Sequence, residues 1–534
     1  MINKIVIKGY RLFKELTIEP SPGMNIVVGD NETGKSTLLE AIGLALTGRV
    51  SGRLAIEELN PYWFHVDNVR DYFANHGAAQ QVGPPEILIE LYLDSSHADA
   101  QRMRGVHNSL RQDCPGVRIH IKPSADYKVE FDEYMKADHP AVLPTEFYDI
   151  DWRDFDDQPI RRRPAGLALS FIDSRTIRSA SGVDYHTRQI LSSFLDEKER
   201  AGIAVAHRKA RHQMTVEALA SVNKQIAQSS TDLHDNVIGL TMDQSARASW
   251  ETGVVPQVKD IPFAMIGQGQ QAAIKVSLAM RRRADSARYV LIEEPETHLS
   301  YSGLRRLIAR IEMLAGDEQQ TFISTHSSFV LNRLGLDKLL LLGSGGATRI
   351  SDLSPDTVAY FKHLSGYDTL RLVLATRLVL VEGPSDEMIF ERAFQDITDR
   401  TTAQAGVDVV SMGGIAFARA LELCAKLDRP VVALQDNDGA TPADILADVQ
   451  EFLSDDRRLS IGEPTLGHTL EPQLLAANGE DTMRTILDLR PQDNPATWMP
   501  NHKTETALRI LESSHRIKHP TYIVEAVAWA QPTT

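Results

Sequence analysis

Cysteine is almost missing from this chain. Its 534 residues hold two, Cys114 and Cys424, far apart and without metal-ligand spacing. That speaks against a disulfide framework and a cysteine-based zinc site, and it fits a reducing cytoplasm. No apolar run approaches the ~20 residues of a membrane span, so no membrane partner is expected. The opening "MINKIVIKGYRLF" alternates like a strand and lacks a signal-peptide layout. Internal repeats and low-complexity segments are absent too. Positive charge is in deficit: 57 Lys and Arg stand against 72 Asp and Glu, a net charge of −15. An acidic protein repels a nucleic-acid backbone on average, yet net charge is not distribution. Basic clusters exist at Arg161–Arg163, at Arg281–Arg283 and in "HRIKHP" from His515. Each has a bland reading as a solvated face, and each leaves room for local DNA contact.

What is present is an α/β alternation too long for one core, so roughly two to four domains are expected. "GMNIVVG" reads as a short buried strand and "KSTLLEAIGLALTG" as a helix ending at Gly48. Residues 187–240 read as long amphipathic helices. A compact pattern returns from 261, with "RYVLIEEP" and "QTFISTHS" as strands. A second α/β unit runs from "RLVLVEG" through a helix at 386–396, a strand at 407–412, a helix at 415–427 and a strand at 430–435, which implies a small parallel sheet. The expected division is 1–160 and 251–374 for the two parts of an ATPase, 161–250 for a helical insertion, and 375–534 for the last domain.

Two sets of residues carry chemistry. "GDNETGKST" holds Gly29-x4-Gly34-Lys35-Ser36, a P-loop placed between a strand and a helix. Its glycines let backbone N–H groups of the loop, Asn31 included, wrap phosphates at a helix N-terminus. Lys35 would reach the β- and γ-phosphates, with Ser36 and Thr37 beside them and the Ser36 hydroxyl on Mg²⁺. "YVLIEEPETHLS" supplies the acidic strand end: Glu293 for the Mg²⁺ shell and Glu294 as general base toward the attacking water. His326 ends the next strand, where a donor could touch the γ-phosphate. Taken singly, a charged strand end or a lone histidine is more often structural.

The order P-loop, "GQGQQ", "EEPETHL", "STHS" resembles the ABC-type ATPases of the SMC, RecF and Rad50 group. That resemblance implies two heads sandwiching two ATPs, with Gly267, Gln268, Gly269 and Gln270 of one head capping the nucleotide of the other and His326 as the switch histidine. Glu293 departs from the commoner Asp, and no glutamine matches the family's Q-loop.

The second set begins at "VVALQDNDGATP". Strand alternation places Asp436 and Asp438 on one face at the C-terminal end of a parallel strand, where open α/β sheets put their sites. Paired carboxylates repel until a divalent cation relieves them. Further oxygen ligands stand at Glu382 and Asp386 in "VEGPSDE" and at Glu471 in "GHTLEPQLL", and Lys503 precedes a helix in "NHKTETALRI". Each alone has a dull reading as a turn residue, a cap or a solvated lysine.

The order Glu-Gly-x-x-Asp, Gly-Gly, Asp-x-Asp, Glu resembles the Toprim domain of topoisomerases, primases and nucleases. A P-loop ATPase followed by Toprim is similar to the OLD family of nucleases, which includes the nuclease subunit of the Gabija anti-phage system. The resemblance implies an α/β fold in which an ABC/SMC-like head with a helical dimerisation insertion precedes a Toprim domain. It also implies metal ligation by Glu382, Asp386, Asp436, Asp438 and Glu471, catalytic roles for Lys503 and Glu294, and use of ATP with Mg²⁺ or Mn²⁺. DNA as substrate, a homodimer or higher homo-oligomer and a helicase partner belong to the same expectation. The activity expected is a two-metal DNA endonuclease or nickase under ATP control in anti-phage defence. Two other readings stay open: a RecF-like repair ATPase that binds DNA without cutting it, and a topoisomerase-like strand passer. The last needs a tyrosine nucleophile, and Tyr522, in a terminal helix, is the only tyrosine after Tyr367.

Overall fold

The computed structural model describes residues 1–50, 53–75, 83–95, 98–136, 142–161, 163–173, 195–228, 238–244, 250, 254, 257–267, 269–271, 274, 288–314, 319–343, 346–350, 353–363, 369–413 and 417–531.

Everything in the first half is arranged around one helix, Lys35–Thr47. Leu38, Leu39, Ala41, Ile42, Leu44, Ala45 and Leu46 are all fully buried. A helix apolar on every side must be covered on every side. Two sheets do this. One is antiparallel, ordered Phe13–Ile18, Ile2–Tyr10, Ile87–Leu93, Cys114–Pro123, with Tyr148–Asp154 also pairing the last of these. The other is ordered Leu169–Asp173, Tyr289–Glu293, Gln320–Ser324, Met24–Val28, Leu339–Gly343, Gly346–Arg349, parallel except for its final pair. Each leucine or isoleucine so buried contributes about 1.5–3 kcal/mol. The parallel sheet takes strands from both sides of residues 174–288, so the two ATPase segments fold as one body.

Leu169–Asp173 corrects the expected helical span of 161–250. It is an edge strand in register with Tyr289–Glu293, Ile172 facing Ile292. Five residues beside a basic, Pro-containing stretch carry too little periodicity to announce a strand. Helices do occupy Glu197–Gln213 and Ala220–Gln228, and neither buries a residue. Residues 174–194 and 229–237 of that span lie outside the described residues.

The last domain has a four-stranded parallel sheet ordered Asp408–Ser411, Leu378–Val381, Val431–Gln435, Arg457–Ile461. Its strands alternate between two cores. Leu378, Leu380, Val410, Val431 and Ala433 face one; Val379, Val381, Val409, Val432 and Leu434 face the other. The first of these cores also contains Ile26, Val28, Ile292 and Ile323 from the ATPase sheet. Among the described residues no helix is long and apolar enough to cross a membrane.

Two glycines on the central helix predict opposite outcomes. A Cβ on Gly43 would lie 3.7 Å from Leu291 and 3.8 Å from Leu169, ordinary contact. Gly43→Ala should therefore stabilise by about 0.5–1 kcal/mol through helix propensity. Gly48 has φ +64°, and its Cβ would come within 2.8 Å of the Trp152 ring. Gly48→Ala should lower the melting temperature, and a thermal melt of the two variants distinguishes them.

Candidate active sites

The P-loop glycines are dictated by their surroundings. A Cβ on Gly29 would stand 2.6 Å from the Leu342 carbonyl, and Gly34, at φ +98°, would press 2.5 Å into the Phe13 ring. Lys35 follows at the helix start, and its ammonium donates to the carbonyls of Gly29 and Asp30, both at 2.8 Å. It thus arches over the loop in which phosphates would sit. Asn31 is exposed on that loop, and Ser36 and Thr37 form the first helical turn behind it.

The strand Gln320–Ser324 lies between the P-loop strand and the acidic strand. Strands sit about 4.8 Å apart, so Gly29, His326 and Glu293 leave one sheet edge within about 10 Å. Glu293 is 7% exposed and paired in register with Ser324. Glu294 has φ +42°, and its N–H donates to the Ser324 carbonyl at 3.0 Å. His326 Nε2 stands 3.6 Å from Glu294 Oε1. Sequence reasoning passed over Glu296. Its Oε1 accepts from Thr325 Oγ1 at 2.9 Å and from the His326 N–H at 2.6 Å, so it fixes the histidine loop. Burial pushes its carboxyl up, against those donors. The signal was the last Glu of "EEPE".

Gly267 accepts from the N–H groups of Gln270 and Gln271. A Cβ on Gly269 would lie 2.2 Å from the His298 carbonyl, so this loop packs on the turn after the acidic strand. Gln268 and residues 272–273 and 275–287 lie outside the described residues.

In the last domain the chain order reverses between Leu378–Val381 and Val431–Gln435, which opens a crevice at their C-terminal ends. Glu382 and Asp436 follow those strands directly, and the Asp436 N–H donates to Glu382 Oε1 at 2.7 Å. Gly383 and Pro384 turn the chain into the helix Pro384–Thr398, where Pro fits the first position. Asp386 in that first turn accepts from the Gly383 N–H at 3.1 Å. Glu471, 3% exposed, accepts from Thr469 Oγ1 at 2.9 Å. Lys503 opens the helix Lys503–Glu512 and holds its ammonium 3.6 Å from Glu471 Oε2.

These groups feel one another. Burial, then Glu382, Asp386 and Glu471, push the Asp436 carboxyl up to about 8. Burial first, then Asp386 and Asp438, raise Glu382 against the Asp436 N–H and Lys503. Burial and Glu471 raise Asp386, opposed by backbone N–H groups and Lys503. The donor set is all oxygen and acidic, which suits a hard divalent cation. Among the described residues, however, no group of three or more His, Cys, Asp or Glu side chains is arranged to hold a metal ion. Protein donors occupy several of these carboxylates: the Asp436 N–H, the Gly383 N–H, Thr469 and Lys503.

Asp438 is placed differently from the alternation argument. The strand ends at Gln435, and Asp438 is an exposed turn residue at φ +43°. Strand geometry stops applying one residue before the first aspartate. What sets the turn is Asn437, which the sequence reading passed over. It is 1% exposed, donates to the carbonyls of Gly462 and Gly467, and accepts from the Gly439 N–H. Gly413 follows its strand with its N–H on the Glu382 carbonyl at 2.9 Å, whereas Gly414 lies outside the described residues.

Tyr522 was set aside for its place in a terminal helix, and the fold brings it to the carboxylates. It is 7% exposed and lines a cavity of about 10 Å³ with Asp386, Asp436 and Leu470. Burial, then those carboxylates, raise its phenol far above the usual range. It is enclosed and neutral, the opposite of an exposed nucleophile.

The raised Asp436 fixes a pH dependence. An unfolded Asp ionises near 3.9, so the native chain binds the extra proton between about pH 4 and 8. The stability this contributes is present at low pH and is lost as pH rises through about 8. Asp436→Asn should remove that loss, leaving the metal-free variant more heat-stable than wild type at about pH 9 and equal to it at about pH 4. A divalent cation held at Asp436 would compete with the proton, so Mn²⁺ should then raise the wild-type melting temperature more at about pH 9 than at about pH 6.

Comparison with known proteins gives three family matches: an AAA domain at residues 4–80, an AAA ATPase domain at 168–331, and the Toprim domain of overcoming-lysogenization-defect-like proteins at 373–438. The OLD nuclease of Thermus scotoductus is 25% identical over 488 residues, spanning 84% of each chain. The DNA replication and repair protein RecF of Magnetococcus marinus is 38% identical over 68 residues, 12% of this chain and 18% of that protein. The C-terminal region of the Burkholderia pseudomallei OLD protein aligns with a TM-score of 0.25 at 20% identity, over 29% of this chain and 97% of its own. The chain thus carries an AAA-type ATPase domain followed by an OLD-like Toprim domain, and it is similar to an OLD nuclease along both.

Proposed function

We propose that this chain is a divalent-metal-dependent DNA endonuclease or nickase, with its Toprim domain cutting and its ATPase domain controlling the cut, in anti-phage defence. The observation that carries the reading is the gathering of Glu382, Asp386, Asp436 and Glu471 at the switch point of a parallel sheet, bridged by the Asp436 N–H on Glu382. Such a cluster is costly to keep charged, and a bound divalent cation would relieve that cost. Glu382, Asp386, Asp436, Asp438 and Glu471 would hold Mg²⁺ or Mn²⁺, which supplies Lewis-acid charge to a phosphodiester when bound. Lys503, half exposed at the rim, offsets charge building on the phosphate oxygens.

At the other site, Lys35, Ser36 and Thr37 hold ATP phosphates, Glu293 the accompanying Mg²⁺, and Glu294 with His326 the attacking water and γ-phosphate. Gly267 to Gln270 would cap the nucleotide of a second copy. The helices Glu197–Gln213 and Ala220–Gln228 support self-association, because Ile203, Val205, Met214 and Val216 stand exposed along or between them. If hydrolysis is slow, ATP acts as a sensed ligand that restrains cutting.

The test is plasmid cleavage with Mg²⁺ or Mn²⁺, with and without ATP. Asp436→Ala should reduce cutting at least a hundredfold. Lys35→Ala should keep the cut and lose its response to ATP. Tyr522→Phe should still cut with no covalent DNA adduct, since hydrolysis needs no tyrosine nucleophile. A wild type that binds DNA without cutting it under every metal and nucleotide condition would move the RecF-like reading ahead.

A further inference from the structure

We infer that an arginine-lined cleft at the far end of the P-loop helix binds the phosphodiester backbone of a DNA strand, apart from both the nucleotide site and the carboxylate site. The inference rests on the reading that DNA is the polymer this chain acts on.

The cleft holds about 720 Å³ and is walled by Gly48, Leu54 and Trp152, with Arg49, Arg161 and Arg163 on its lining. All three arginines are exposed. Arg49 lies just past the C-terminus of the helix Lys35–Thr47, where a cation is favoured by the helix dipole. That accounts for Arg49 alone. Arg161 and Arg163 arrive from the segment after the strand Tyr148–Asp154, and no helix end calls for them there. The lining carries three arginines against one acid, Asp151, which Arg153 engages at 2.6 Å. In a chain of net charge −15 that is a local reversal of sign. Charges beyond about 8–10 Å are screened, so the reversal decides what approaches.

The floor is built in advance. Trp152 Nε1–H donates to the Ala45 carbonyl at 2.9 Å, and its ring lies so close over Gly48 that a Cβ there would come to 2.8 Å. A site that need not reorganise loses little on binding. Guanidinium forks match phosphate oxygens in pairs. Leu54 and Ile56, 43% and 53% exposed, give an apolar lip on which sugars and base faces can lie. The helix has 13 residues and so puts about 20 Å between this cleft and Lys35, which separates it from ATP phosphates in the P-loop.

The experiment is fluorescence anisotropy of a labelled DNA strand in EDTA without nucleotide. Arg49→Glu/Arg161→Glu/Arg163→Glu should weaken binding at least tenfold and make the plot of log affinity against log salt shallower by about 2 to 3. The Arg→Gln version should weaken it less, and unchanged binding of an ATP analogue shows that the head is folded. A charge-matched control at Arg70, Arg102 and Arg490, exposed elsewhere, should keep near wild-type affinity. Equal binding by the cleft variant, or an equal loss in the control, overturns the inference. So does displacement of DNA by tripolyphosphate as efficient as by unlabelled DNA, which would make the cleft a site for free polyphosphate. A wild type that binds through the cleft but never cuts sinks the nuclease reading and leaves this one. Unchanged cutting and binding in the cleft variant does the reverse.

Discussion

A single apolar core serves two sheets, and the geometry of both sites depends on it. Ile26, Val28, Ile292 and Ile323 face it from the ATPase sheet, and Leu378, Leu380, Val431 and Ala433 face it from the Toprim sheet. Parallel sheets must be covered on both faces. Here each sheet provides, through the helices between, part of the cover for the other. The P-loop and the carboxylates are therefore set at a fixed separation by packing that neither domain completes alone. Glu422 marks the join: its carboxylate, on the Toprim helix Phe417–Lys426, accepts from the Ser354 N–H and hydroxyl and from Thr357 Oγ1. Although burial works against it, those donors hold that carboxyl below the usual range.

The same join gives the proposed ATP control a material route. His326 sits beside Glu294, and two residues on, the Ser328 hydroxyl accepts the Leu370 N–H at 3.3 Å. Arg371, next to Leu370 in the helix Thr369–Leu374, donates to the Val409 carbonyl at 2.8 Å and stands 3.6 Å from Asp408. The strand holding Asp408 and Val409 ends at Ser411, and two residues later the Gly413 N–H meets the Glu382 carbonyl. Each step is a discrete bond or close ion pair between packed elements. Together these contacts connect the histidine loop to the backbone of Glu382.

Much of this was legible because the signals were local. The strands Met24–Val28, Tyr289–Glu293 and Val431–Gln435 are short apolar runs, and each gives way at or just past its end to a glycine or a polar residue. The P-loop and "VEGPSDE" combine glycine, charge and a helix start within a few positions. What escaped was set by distant partners. The strand Arg457–Ile461 carries two arginines and reads as polar, because it lies at the sheet edge. Leu169–Asp173 gains its identity only from pairing with Tyr289–Glu293. Asn437 looked like a spacer between aspartates, and its bonds run to Gly462 and Gly467. Tyr522 reaches Asp386 across a helix–helix contact with no trace in spacing. The same-face argument for Asp438 failed for a different reason: period-two logic was extended past the end of the strand that justified it.

The electrostatics of the two domains then divide one problem between them. The carboxylate cluster repels a phosphodiester, and burial, together with the charge of its neighbours, favours a proton on Asp436. It cannot gather DNA by itself, and it is most acidic where no polymer has yet arrived. Positive charge gathered elsewhere on the chain, at arginines that a net charge of −15 conceals, would supply attraction without a cation in place. Capture and chemistry would then depend on different charges. Salt weakens the first through screening at the exposed arginines, whereas protons weaken the second through competition at the carboxylates. A chain acidic overall is thus no obstacle to acting on a polyanion, provided that its acid is concentrated where a metal is held and its base where the backbone lies.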